Sequence, residues 1–271
     1  MTDQYAVMGN PVAHSKSPQI HAAFAKQTGQ DMTYSSMLVE PGGFAEAVRQ
    51  FFDVGGKGLN ITVPFKQEAW ALAAVQSDHA RLAEAVNTLL LDDSGRLCGH
   101  NTDGPGLVRD IIMNNSGRLL GQRILVLGAG GATRGILQPL LEENPAEIVV
   151  ANRTQSKAGI LAQVFSSHGC IKGCGLDDLS GESFDWVINA TAASLQGELP
   201  DLPAGLLRKG AWCYDLMYAN EPTIFCKWAR QEGAARAIDG LGMLVEQAAE
   251  AFLLWRGIRP DTAGLLQQRR S

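Results

Sequence analysis

At 271 residues the chain is long enough for two modest domains or one large one, and 45% hydrophobic with 19% charged residues is ordinary for a soluble globular protein. A formal net charge of −5 leaves no basic excess to neutralise phosphates, which argues against nonspecific nucleic-acid binding but permits a local cationic pocket. No stretch approaches the length of a membrane span, and MTDQYAVMGNPVAHSKSP has neither a basic n-region nor an uninterrupted apolar h-region, so no membrane partner and a cytoplasmic location are expected.

The first hundred residues alternate between short apolar runs and helical periodicity. QYAVMG reads as strand, SPQIHAAFAKQTG as helix, TYSSMLV as strand, GGFAEAVRQFFDVG as helix and KGLNITV as strand, the pattern of a mostly parallel sheet covered by helices. In Ser15-Lys16-Ser17-Pro18, Ser17 is placed to cap the first helix and Pro18 suits its first position. Ser15 is not needed for capping, and two hydroxyls beside a helix start can hold a substrate carboxylate. Within GLNITVPFK, polar and apolar side chains alternate through Thr62, as in a half-buried strand with Asn60 and Thr62 on its polar side. Pro64 then ends the strand and leaves Lys66 just beyond it, where α/β enzymes keep reactive groups. VNTLLLDDSGRLCGHNTD reads as a hairpin. With Ser94 and Gly95 as its turn, Asn87 falls opposite about Thr102, which brings Asn87 beside Asp103. A paired acid/base role for Lys66 and Asp103 follows from their places at strand ends.

A second α/β pattern restarts near residue 104 and runs through GQRILVLGAGGATRGILQPLLEE, EIVVANRT, DWVINAT and GAWCYDLMY, each apolar run resembling a buried parallel strand. In RILVLGAGGATRG a strand enters a glycine-rich turn and then a helix. Gly128 permits the turn, Gly130 and Gly131 let the backbone approach a pyrophosphate at the helix start, and Thr133 replaces the usual third glycine with Ala132 supplying a small side chain. The next strand ends in Asn152 and Arg153 where an NAD enzyme presents a carboxylate. Arg153, with Lys157 one turn away, favours the 2′-phosphate of NADP.

LGMLVEQAAEAFLLWRG is an amphipathic helix able to pack back on the first domain, with Gln247 on the same face as Leu244, Ala248, Ala251, Phe252 and Trp255. An amide there needs a core or ligand partner. Cys98, Cys170, Cys174, Cys213 and Cys226 are odd in number and scattered, and His14, His21, His79, His100 and His168 form no ligand spacing, so neither a disulfide framework nor a metal site is expected.

The stretches GNPVAHSKSPQIH, GLNITVPFK, AVNTL, GHNTDG, GAGGATRG, NRT, INAT, DLMY and GLGMLVEQAAEAF, in this order, closely resemble the shikimate dehydrogenase family of NADP-dependent enzymes in aromatic amino-acid biosynthesis. The resemblance implies a two-domain α/β fold with its site in the cleft. Residues 1–103 would be the substrate-binding and catalytic domain, 104–238 a Rossmann-type NADP domain, and 239–271 a helical segment returning to the first. By similarity Ser15, Ser17 and Tyr218 would bind the substrate carboxylate, Asn60, Thr62, Asn87 and Gln247 would surround the ring, and Lys66 and Asp103 would be the catalytic pair. Gly128, Ala129, Gly130, Gly131, Ala132, Asn152, Arg153, Thr154, Lys157, Thr191, Met217 and Gly240 would line NADP. Two departures stand out: Ala192-Ala193-Ser194 follows NAT where relatives have serines and a glycine, and Lys157 stands where relatives often carry arginine. The activity implied is reversible reduction of 3-dehydroshikimate to shikimate by a monomer or homodimer. The rivals are a quinate/shikimate dehydrogenase using NAD, a folate-linked NADP dehydrogenase and a non-catalytic NADPH-binding sensor.

Overall fold

The computed structural model describes residues 2–191, 193 and 197–270, so Ala192 and Ser194 of the departure after NAT lie outside the described residues. The chain forms two compact units, one of residues 1–106 with 244–271 and one of residues 107–243.

The first unit runs β1 (Asp3–Gly9), α1 (Ser17–Thr28), β2 (Met32–Leu38), α2 (Phe44–Asp53), β3 (Gly58–Ile61), α3 (Lys66–Leu72), β4 (Val75–Gln76), α4 (Asp78–Ala83), β5 (Thr88–Leu91) and β6 (Leu97–His100), and ends in α5 (Asp103–Arg109). Its six-stranded sheet has the order β2-β1-β3-β5-β6-β4. β1 pairs in parallel with β2 and β3, and β4 with β6, while β5 is antiparallel to both of its neighbours. The short β4 and α4 carry no clear periodicity in sequence and exist through their contacts, as β4 does by joining the sheet edge at Cys98 and Gly99. Leu59, Ile61, Phe44, Val48, Phe65 and Leu89 are among the residues of a core on one face.

β3 departs from the half-buried expectation, for all four of its residues are buried and Asn60 is only 6% exposed. A strand between two others with both faces covered has no solvent side, so its polar residue must be satisfied internally. The hairpin is also one residue out of the expected register, since Thr88 faces His100. Its turn spans more than Ser94 and Gly95, with Asp92 N–H donating to Arg96 O and Gly95 at φ +77°.

The second unit continues from α5 through a π-helical turn (Asp110–Asn114) to β7 (Arg123–Leu127), α6 (Gly131–Glu142), β8 (Glu147–Ala151), α7 (Gln155–Phe165), β9 (Ile171–Cys174), β10 (Phe184–Asn189), β11 (Leu207–Asp215), α8 (Ile224–Gln231) and β12 (Arg236–Ile238). Its sheet order is β12-β11-β10-β7-β8-β9, with parallel pairing throughout the described residues. The order reverses between β7 and β10, the switch point at which doubly wound sheets hold ligands beyond their strand C-termini. Continuous apolar runs such as ILVL, IVVA and WVIN supply these strands, whose cores include Leu125, Val149 and Val187.

Helix α9 (Leu241–Arg256) and α10 (Ala263–Arg270) complete the chain. From Leu244 onward this segment belongs to the first unit, where Val245, Ala248, Ala249 and Phe252 form a second core with Ile20, Phe24 and Leu266. Arg256 anchors the segment further by donating to Asp3 and to Gln30 Oε1, the latter at 2.7 Å, while Arg259 braces it internally by donating to Glu246 and Glu250, both at 2.6 Å. No helix among the described residues is long and apolar enough to cross a membrane.

Candidate functional site

Lys66 is the first residue of α3, directly after the Val63-Pro64-Phe65 turn that follows β3, and Asp103 is the first residue of α5, just past β6. Strand pairing in the first unit brings the two chain reversals together. Lys66 Nζ donates to Asp103 Oδ2 at 2.5 Å, with side chains 30% and 15% exposed, so the pair is half-shielded yet accessible. Asp103 Oδ1 accepts from Asn87 Nδ2 at 2.9 Å. Both carboxylate oxygens are therefore engaged. The backbone N–H of Asp103 donates to buried Asn101 Oδ1, and Lys66 O accepts from Val86 N–H, so main chain as well as side chain fixes each partner.

Asn87 is 2% exposed and is the centre of the cluster. Its Oδ1 accepts from Thr102 N–H and from Thr88 Oγ1, both at 2.9 Å, while its Nδ2 also lies 3.0 Å from Thr102 Oγ1. Gln247 approaches on α9, its Oε1 3.5 Å from both Asn87 Nδ2 and Thr102 Oγ1 and its Nε2 donating to Leu244 O at 2.9 Å. Gly106 permits that approach, since a Cβ there would come within 2.7 Å of Gln247 N. Asn60 sits behind Asn87, with Nδ2 donating to Asn87 O at 3.2 Å and Thr88 Oγ1 at 3.1 Å and Oδ1 accepting from Tyr34 Oη at 2.7 Å. Asn60 is thus committed to protein partners. Thr62 is half-buried at the end of β3, its N–H bonded to Met8 O.

The α1 start differs from the capping expectation. Lys16 occupies the N-cap position without a side-chain capping bond, and Ser17 is already the first helical residue. Ser15 Oγ accepts from Ser17 N–H at 3.3 Å. Ser15 therefore does the work expected of Ser17, because the chain enters the helix one residue earlier than the Ser-Pro signal implies. The buried Ser17 hydroxyl is beside Tyr34, whose phenol is pushed well above its usual range by burial, with Ser17 opposing. His21 stacks on Tyr34 with ring centroids 4.2 Å apart. Burial lowers its pKa to about 3, with Asn60 opposing, and neither ring nitrogen has a hydrogen-bond partner among the described residues.

In the second unit, β7 delivers Gly128 at φ +101°, a conformation that L side chains rarely adopt, and a Cβ there would lie 3.1 Å from Thr191 Cγ2. Ala129 and Gly130 follow, with Gly131 and Ala132 exposed at the start of α6, and open space surrounds a Cβ position at either Gly130 or Gly131. Thr133 is fully buried and its Oγ1 donates to Gly128 O at 2.9 Å, so the residue replacing the third glycine ties the turn to the helix. Gly128, Asn152, Arg153 and Thr191 line one cavity of about 550 Å³ with Leu127, Ala151, Leu176 and Pro200. Glu198 and Asp201 line it too, and sequence reasoning missed them.

Arg153 and Lys157 are exposed, and neither has an ion-pair partner among the described residues. Thr154 is the N-cap of α7 and its carbonyl accepts from Asn152 Nδ2 at 3.0 Å. Thr191 and Met217 are set by two buried residues that sequence reasoning passed over. Asn189 Oδ1 accepts from Thr191 Oγ1 at 2.7 Å, and Asp215 Oδ1 accepts from Met217 N–H at 3.1 Å and Asn189 Nδ2 at 3.0 Å. Gly240 N–H donates to Met217 O at 3.0 Å, and half-buried Tyr218 follows in the same loop after β11. The open glycine backbone, the adjoining cavity and the unpaired cations fit a dinucleotide carrying an extra phosphate.

Three family models match the chain: the shikimate dehydrogenase substrate binding domain over residues 7–89, shikimate/quinate 5-dehydrogenase over 110–196, and the shikimate 5'-dehydrogenase C-terminal domain over 240–268. A relative from Nitrosococcus oceani named shikimate dehydrogenase (NADP(+)) is 58% identical over 270 residues, covering 100% of this chain and 96% of its own. Among solved structures, an Ael1 enzyme from Pseudomonas putida is 47% identical with a TM-score of 0.92, covering 98% of this chain and 97% of that one. Shikimate 5-dehydrogenase from Thermus thermophilus, in complex with NADP(H) and shikimate, is 33% identical with a TM-score of 0.87, covering 99% and 98%.

Proposed function

The chain belongs to the shikimate dehydrogenase family, and we propose from this premise that it catalyses the reversible NADPH-dependent reduction of 3-dehydroshikimate to shikimate. It is an oxidoreductase acting at a CH–OH group. The observation that carries the reading is the 2.5 Å contact between Lys66 and Asp103, held by Asn87 in a half-shielded place. NADPH, when bound, supplies hydride to the C3 carbonyl carbon. The developing alkoxide then needs a proton, and Lys66 Nζ is the donor assigned to it, with Asp103 fixing the lysine and the substrate hydroxyl. In the reverse direction Lys66 takes the hydroxyl proton as hydride leaves.

Residues 1–106 with the returning C-terminal segment form the substrate-binding and catalytic part in this reading, and residues 107–243 the NADP part. Ser15, Ser17 and Tyr218 are assigned to the substrate carboxylate, and Thr62, Asn87 and Gln247 to its ring hydroxyls. Asn60 is assigned to the same wall, acting through Asn87 and Thr88 to which it is bonded. Gly128, Ala129, Gly130, Gly131 and Ala132 would hold the pyrophosphate, Asn152, Arg153, Thr154 and Lys157 the phosphorylated ribose, and Thr191, Met217 and Gly240 the nicotinamide side. A cytoplasmic setting accords with five cysteines that are all free. The assembly in this reading is a monomer or homodimer.

A spectrophotometric assay crossing shikimate and quinate with NADP and NAD tests the proposal. Rapid NADP reduction with shikimate and little with quinate is the expected outcome. Turnover confined to quinate and NAD would overturn it.

A further inference from the structure

Behind the Lys66–Asp103 pair runs a chain of hydrogen bonds whose directions are all determined, and it passes through a residue with no assigned role. Asn60 Nδ2 lies 3.2 Å from the carbonyl oxygen of Asn87, which can only accept. This fixes the amide: its nitrogen faces Asn87 O and Thr88 Oγ1, and its oxygen receives the Tyr34 hydroxyl at 2.7 Å. The Thr88 oxygen therefore accepts from Asn60, and its single proton goes to Asn87 Oδ1 at 2.9 Å. A second donor, the Thr102 N–H, reaches the same Asn87 oxygen at 2.9 Å.

Two donors on one amide oxygen do more than one. Thr102 alone settles which end of the Asn87 amide is oxygen, through its N–H at 2.9 Å and its hydroxyl at 3.2 Å from that oxygen and 3.0 Å from Asn87 Nδ2. These contacts all come from one residue and the torsion to an sp² group is broad, so the plane would still rock. A second donor, from Thr88 on the adjoining residue, holds the plane. That plane aims Asn87 Nδ2 at Asp103 Oδ1, 2.9 Å away, and so sets the carboxylate whose other oxygen meets Lys66. Thr88 is fully buried, so neither substrate nor bulk water reaches its hydroxyl.

We infer that Thr88 is a positioning residue for the reaction: its hydroxyl fixes the plane of the Asn87 amide and, through it, the Asp103 carboxylate that faces Lys66. This rests on the assignment of Lys66 and Asp103 made above. Valine matches threonine in shape but lacks both the donor and the acceptor, whereas serine keeps both. Thr88→Val is expected to lower kcat for shikimate oxidation about tenfold, with the KM for shikimate moving less than about threefold and NADP affinity unchanged. Thr88→Ser should recover most of the lost kcat. A role in packing alone predicts the opposite ranking, because serine loses the buried methyl that valine retains.

A kcat in Thr88→Val within about twofold of the parent, or equal losses in the valine and serine variants, would overturn the inference. Should Thr88→Val fail to fold, Tyr34→Phe removes the donor at the far end of the same chain and is expected to lower kcat about two- to threefold, again at nearly constant KM; an unchanged kcat there counts against it. Lys66→Met separates the two levels. A dead Lys66→Met beside a normal Thr88→Val removes only the role of Thr88, whereas an active Lys66→Met removes the pair and this inference with it.

Discussion

The two units prepare their chemistry in different ways. In the first, the reactive side chains are bonded to one another: Lys66 to Asp103, Asp103 to Asn87, Asn87 to Thr88 and Thr102. In the second, the features proposed to meet the cofactor are open backbone at Gly130 and Gly131 and exposed cations at Arg153 and Lys157. A proton must be delivered along one direction, which requires fixed side chains and a supporting layer. A pyrophosphate accepts hydrogen bonds from many directions, so main-chain N–H groups and a helix start are enough. One region should therefore lose rate when altered, and the other affinity.

The contrast is sharpest at Lys66. Lys66→Met should cut kcat about 10³-fold, within the range for losing a general acid/base group, while leaving NADP affinity unchanged. Steady-state kinetics beside a fluorescence titration with NADP would check it, and near-normal turnover would break the comparison.

Acid should weaken the first unit through His21, whose folded pKa of about 3 lies below its free value of 6.5. Between these values the unfolded chain binds more protons than the folded one, so this contribution is fully present above 6.5 and falls as pH drops towards 3. By about pH 4.5 the loss is roughly 3 kcal/mol. Urea unfolding of the parent and His21→Phe at neutral and acid pH measures it, and equal acid slopes would refute the assignment.

In the second unit, Arg153→Ala should raise the Kd for NADP about 30-fold with little change in kcat, because the guanidinium contributes charge-assisted hydrogen bonds to a bound phosphate. NAD affinity should be unmoved, and equal weakening of both cofactors would contradict the role. The smallest effect is expected at Ser15. Its alanine variant should lose roughly 1 kcal/mol of stability by giving up the acceptor at the α1 start, with a several-fold rise in the KM for shikimate. Thermal unfolding and initial rates would separate the two contributions.

Much of the fold was legible because its signals are local. ILVL running into GAGGATRG identifies a strand, a turn and a helix without any distant contact, and Pro64 falls in the turn between β3, which already ends at Ile61, and Lys66. The convergence of Asn87 on Asp103 was legible through hairpin geometry although the register was one residue out, since both side chains are long enough to absorb the shift. What escaped was whatever depends on sheet order. Asn60 alternates as though facing water, and only the placement of β3 between β1 and β5 buries it. Thr88 reads as a β-branched strand residue and Tyr34 as a strand aromatic; the bonds that join them through Asn60 arise only when four strands, β2, β1, β3 and β5, lie side by side. Asn189 and Asp215 were hidden likewise, because each acts on a loop in the neighbourhood of its own strand end.

The second core of the first unit joins Ile20 and Phe24 to Val245, Phe252 and Leu266. Chains emerge from the ribosome N-terminus first, and domains generally fold as units in that order. Here the order is inverted. Residues 107–243 form an uninterrupted unit that is complete once synthesised, whereas the segment beginning at Leu244, which closes the earlier one, is translated last. A nascent chain stalled before that segment would already hold a finished nucleotide-binding half and would still have Ile20 and Phe24 without their covering helix. Translation thus builds the nucleotide cradle ahead of the catalyst.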